Sequence, residues 1–131
     1  MSRLTALAAL GALFSAAIPA SAQAPELAML RSLEKGSYVL RFRDGEPPRR
    51  VCLRTGSELL QIGHPGLACR YFTVKDGAKE VDVNYTCQGR GYGRTLVRKE
   101  TDGLVQIDTQ GIRGGMPFAW DVEARRTGSC R

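Results

Sequence analysis

Residues 81–97 read VDVNYTCQGRGYGRTLV, two arms of strand-forming residues joined by a glycine-rich turn. In the first arm Val81, Val83, Tyr85 and Cys87 fall on one side, and Asp82, Asn84, Thr86 and Gln88 on the other. That period-two alternation is the pattern of a half-buried strand. Gly89, Gly91 and Gly93 suit the positive φ angles of a tight or bulged hairpin. A nucleotide loop would need a helix after the glycines, with its N-terminus facing the phosphate, and here a strand follows. The glycine run is therefore structural. A chain built around such a hairpin is organised as an antiparallel sheet, and its neighbours must supply further strands.

They do. Residues 37–43 alternate, with Tyr38, Leu40 and Phe42 on one face and Val39, Arg41 and Arg43 on the other. After the turn signals Asp44-Gly45 and Pro47-Pro48, strands are expected at 49–54, 69–74, 80–88, 92–99, 104–110 and 118–126. Residues 111–117 read as a flexible glycine-rich connection. A short helix is expected over 25–35, starting at Pro25 and stopped by Gly36. Thr55-Gly56-Ser57-Glu58 has capping-box spacing and predicts another helical turn or two, ended by His64-Pro65-Gly66. The expected fold is all-β with one or two short helices: an antiparallel meander of about seven strands, forming a strongly curved sheet or incomplete barrel. One domain, residues 23–131, accounts for all of it.

The first residues have a different character. Arg3, an apolar run over 4–18 and the triplet Ala20-Ser21-Ala22 make the pattern of a secretory signal peptide, with cleavage predicted after Ala22. The run is shorter than the roughly 20 residues a spanning helix needs. The expectation is a periplasmic or secreted protein with no transmembrane segment after cleavage. A domain of this size gains only a marginal core and benefits from cross-links. Cys52, Cys69, Cys87 and Cys130 supply them as two disulfides, with Cys52–Cys69 and Cys87–Cys130 favoured among three connectivities. No C-x-x-C pair suggests zinc.

The formal net charge is +6, mostly from arginine. In the cytosol that balance would suggest nucleic acid. In an exported protein the available anions are envelope lipids, anionic polymers and acidic proteins, so no nucleic-acid partner is expected. Arg90, Arg94 and Arg98 lie on or beside one hairpin arm and could form an anion or partner face, with Arg41, Arg43, Arg49, Arg50, Arg125 and Arg126 on other strands. Tyr38, Phe42, Tyr85, Phe118 and Trp120 either fill the core or line an apolar pocket. His64 is the single histidine, which excludes a multi-histidine metal site, and Ser57 and Ser129 lack a nucleophile-elbow context. No catalytic residue, metal or cofactor is indicated.

The segments Arg50-Val51-Cys52-Leu53, Val83-Asn84-Tyr85-Thr86-Cys87, Gly91-Tyr92-Gly93-Arg94-Thr95 and Ala124-Arg125-Arg126-Thr127-Gly128-Ser129-Cys130 carry a resemblance. The chain resembles, over roughly residues 33–130, the small exported Gram-negative proteins grouped as domain of unknown function 3617. It departs from them at Gly36-Ser37-Tyr38, where many have Gly-x-Trp, and lacks their methionine-rich segment. The resemblance implies an exported β domain without an assigned activity. The disulfide-bonded β-barrel lysozyme inhibitors share a Tyr-x-Cys strand, but their Ser-Gly-x-x-Tyr loop is absent. The functional expectation is a non-catalytic envelope binding module for an apolar or anionic ligand, the alternative a protein-interaction or inhibitor module.

Overall fold

The computed structural model describes residues 27–131. The expected signal peptide, its cleavage after Ala22 and the helix start at Pro25 lie outside them. Seven strands follow a single helical turn: α1 (Ala28–Arg31), β1 (Gly36–Phe42), β2 (Arg49–Leu53), β3 (Arg70–Asp76), β4 (Glu80–Cys87), β5 (Gly91–Thr101), β6 (Leu104–Arg113) and β7 (Met116–Gly128). The strands form one antiparallel, unclosed and curled sheet in the order β2-β1-β7-β6-β5-β4-β3. Neighbours in sequence are neighbours in the sheet with one exception. β2 and β3 occupy opposite edges, and residues 54–69 span the gap between them.

Alternation settles which face is buried. Val81, Val97, Ile107 and Val122 meet across β4, β5, β6 and β7 by register, and all four are fully buried. Leu40 and Tyr38 continue that face on β1. Leu30 and Leu33 cover it at one end, while Leu59, Leu60 and Ile62 from the edge-to-edge connector cover it elsewhere. The helix expected over 25–35 shrinks to four described residues. The Ser32 hydroxyl donates to the Met29 carbonyl at 2.6 Å, and the Glu34 amide is taken by the Asp102 carbonyl at 2.7 Å, which draws the chain into β1.

Two expectations are corrected. The disulfides are Cys52–Cys130 and Cys69–Cys87, with Cα separations of 5.6 and 4.1 Å, not the favoured Cys52–Cys69 and Cys87–Cys130. The sheet order gives the reason. Cys52 sits on one edge strand and Cys69 beside the other, while Cys87 is on β4, with β5 and β6 between it and β7. Arg70 pairs with Thr86, so Cys69 falls beside Cys87 across one hairpin. The second correction concerns residues 111–117. β6 and β7 stay paired through Gly111↔Phe118, Ile112↔Pro117 and Arg113↔Met116, leaving only Gly114-Gly115 as the turn.

Candidate functional site

The connector that joins the sheet edges is held at several points. Thr95 Oγ1 donates to the Leu60 carbonyl at 2.6 Å, and Gln61 Nε2 donates to the His64 and Leu67 carbonyls, both at 2.8 Å. Tyr71 on β3 donates its hydroxyl to Gln61 Oε1. His64 is buried, with Nε2 2.9 Å from the Ile112 carbonyl and Nδ1 2.9 Å from the Tyr85 hydroxyl. A carbonyl only accepts, so Nε2 carries the proton and Nδ1 accepts from Tyr85. Gly91 makes room for this: a Cβ there would lie 2.7 Å from His64 Nε2, and its φ of +119° disfavours any side chain.

Between the connector and the two edges lies a cleft of about 600 Å³. Leu40, Val51, Ile62, Pro65 and Tyr71 give it apolar walls, with Arg49, Glu58 and Gln61 among its polar residues. The Glu58 carboxylate is engaged by the amides of Arg54, Thr55 and Gly56. Burial alone would raise its pKa, but the backbone donors outweigh that and hold it below the usual range, so it stays ionised. This is the return half of the capping box expected at Thr55. Arg49 lies against two rings, its Cζ 4.5 Å from the Phe42 centroid and 4.8 Å from that of Trp120.

A second concavity, about 750 Å³, lies on the opposite face of the sheet across β4–β7. Cross-strand register builds its walls from two rows: Thr86, Tyr92, Ile112 and Pro117 in one, Asn84, Arg94, Gln110 and Ala119 in the other. Gly93 pairs with Gly111 between those rows. A Cβ on Gly93 would stand 2.6 Å from the Tyr85 ring and hydroxyl, so the bare backbone lets the ring lie beneath it. Tyr92 is 55 % exposed and Met116, at the adjoining hairpin tip, 70 %.

The sequence-selected residues divide between these places. Arg90 is exposed in the β4–β5 turn, its amide held by the Cys87 carbonyl at 2.8 Å. Arg94 grips Asp82 through two nitrogens, with Nε 2.9 Å from Oδ1, and Arg98 lies 3.5 Å from Asp108. Arg94 and Arg98 therefore add no uncompensated charge to an anion face, because the strand alternation that aligns them aligns carboxylates beside them. Tyr38, Phe42 and Trp120 belong to the hydrophobic core and line neither concavity. Tyr85 and Phe118 border the outer trough. The cleft residues Gln61, Ile62, Pro65 and Tyr71 escaped the sequence reading, since only the edge-to-edge path of the connector brings them to β2. Arg49 and Arg50 entered it as strand arginines that could join an anion face, not as walls of a cleft. The chain matches no described protein family, no curated protein and no solved structure.

Proposed function

We propose that this protein is a non-catalytic binding module of the bacterial envelope, exported to the periplasm or beyond, which takes an apolar ligand in the cleft between its sheet edges. One observation carries the reading: a cleft of about 600 Å³ with apolar walls beside the hydrophobic core. That volume lies within the range of small-molecule sites. A ligand there releases water from Leu40, Val51, Ile62, Pro65 and Tyr71, at roughly 25 cal/mol per Å² of apolar surface covered. Two disulfides fit an oxidising compartment, and the cysteine-bearing segments fit the exported family the sequence resembles.

The test uses mature, unreduced protein and the neutral probe N-phenyl-1-naphthylamine, which fluoresces in apolar surroundings. Saturable fluorescence that is lost in Val51→Trp, with folding retained, supports the cleft. Absence of saturable binding by the wild type sinks it. The outer trough favours the second reading, docking of an envelope protein, because exposed Tyr92 stands on its wall. That reading requires a partner captured from periplasm by the wild type and lost with Tyr92→Ser and Ile112→Ser together.

A further inference from the structure

We propose that the ligand of the edge cleft is an amphiphile with an oxyanion head, carboxylate or phosphate, and that Arg49 receives the head. This rests on the cleft being the binding site. The burial of an arginine without an acidic partner motivates it, since Arg41, Arg50, Arg54, Arg70 and Arg90 are exposed where Arg49 is half-buried. Arg43 pairs with Asp121 at 3.0 Å, Arg98 with Asp108 at 3.5 Å, Arg125 with Glu123 and Arg126 with Glu34 at 3.3 Å, and Arg94 with Asp82. Arg49 has no carboxylate at ion-pair distance among the described residues. It stands on the cleft wall with Nη1 donating to the Ile62 carbonyl at 3.1 Å.

Its other terminal nitrogen is the decisive atom. Arg49 Nη2 is the one buried side-chain nitrogen or oxygen without a hydrogen-bond partner among the described residues. A buried donor lacking an acceptor bears a desolvation cost that the Phe42 and Trp120 ring faces offset only in part. Arg113 adds a second cation, its Cζ 5.1 Å from the Trp120 ring that Arg49 also touches. This places two guanidiniums about one indole, and Glu46 attracts Arg49 from outside ion-pair distance. The opposing charge on the cleft wall is Glu58, whose oxygens are taken by the amides of Arg54, Thr55 and Gly56. A guanidinium held by Phe42, Trp120 and a carbonyl is already oriented, so its planar fork meets a carboxylate or phosphate with little further ordering. Arg49 is half-buried as a residue and lines the cleft.

Decanoate, decyl phosphate and 1-decanol share one apolar chain and differ in the head. Each is titrated calorimetrically into mature disulfide-bonded protein below its micelle concentration. The expected result is at least one acid binding about tenfold or more tighter than the alcohol, the yield of a charge-assisted hydrogen bond. The stronger acid identifies the head. Arg49→Gln should bring that acid to within about threefold of the alcohol and leave the alcohol's affinity within about twofold, and Arg49→Lys, which keeps charge without the fork, should fall between. Equal affinities of acids and alcohol for the wild type would overturn the proposal while the cleft stands, and this comparison needs no variant to fold. Unchanged acid binding in a folded Arg49→Gln protein would overturn it too. If neither the three amphiphiles nor the neutral naphthylamine binds, the cleft itself is not the site.

Discussion

Both ring nitrogens of His64 are occupied, Nε2 by the Ile112 carbonyl and Nδ1 by the Tyr85 hydroxyl, each at 2.9 Å. The sequence showed a solitary histidine in a His-Pro-Gly turn, but its partners lie 21 and 48 residues away and no local pattern announces them. His64→Phe keeps a ring and strands both partners in the interior, so it should cost about 2–4 kcal/mol. A urea midpoint that falls with an unchanged slope would show this, and a loss under about 0.5 kcal/mol would contradict it. Tyr71 and Tyr85 are each pushed up to about 12, chiefly by burial. An unfolded tyrosine titrates near 10, so the folded protein keeps these protons where the unfolded chain has lost them. Stability is therefore complete below about pH 10 and falls as pH rises towards about 12. The phenolate absorbance of Tyr71 and Tyr85, isolated by tyrosine-to-phenylalanine variants, should appear with unfolding towards pH 12. A smooth titration of either near pH 10 in folded protein would refute the burial argument.

Strands were legible wherever one face is buried and the other wet, because alternation records that directly. β1 and β4 show it: Tyr38, Leu40 and Phe42 on one, and Val81, Val83 and Tyr85 on the other, are all buried. Legibility failed over 111–117, where the absence of apolar side chains at Gly111, Gly114 and Gly115 suggested a loose connection. The backbone answers otherwise. Gly111 sits opposite Gly93, and the ladder continues to Arg113↔Met116. Amide exchange should consequently be slow for the hydrogen-bonded amides among residues 110–113 and fast at Gly114 and Gly115. Uniform fast exchange across 111–117 would restore the flexible connection. The cleft was illegible at this scale for a different reason. Its lining is drawn from β1, β2, β3 and the connector, and which of these meet depends on strand order, which alternation does not encode.

Strand order also decides how the two disulfides divide their work across the molecule. β2 bears Arg49 and Val51 on the cleft wall and is paired on one side only, by β1. Its other tether is Cys52–Cys130, with a sequence separation of 78, which ties that edge to the chain end beyond β7. Cys69–Cys87 has a separation of 18 and fastens β3 to a neighbour it already pairs with. In the chain-entropy account the longer closure stabilises by about 4.5 kcal/mol and the shorter by about 3. Replacing Cys52 and Cys130 with serine should accordingly lower stability by more than replacing Cys69 and Cys87. The first pair should also cost affinity for the naphthylamine probe, because a β2 edge free to fray removes one wall of the cleft. The second pair should leave that affinity within about twofold, since Tyr71 keeps its place through Gln61 and through its register with Tyr85. Denaturation and probe titration on the same two double variants measure both effects. Equal stability losses with equal affinity losses would mean that the edges are not independent walls, and that the connector alone shapes the cleft.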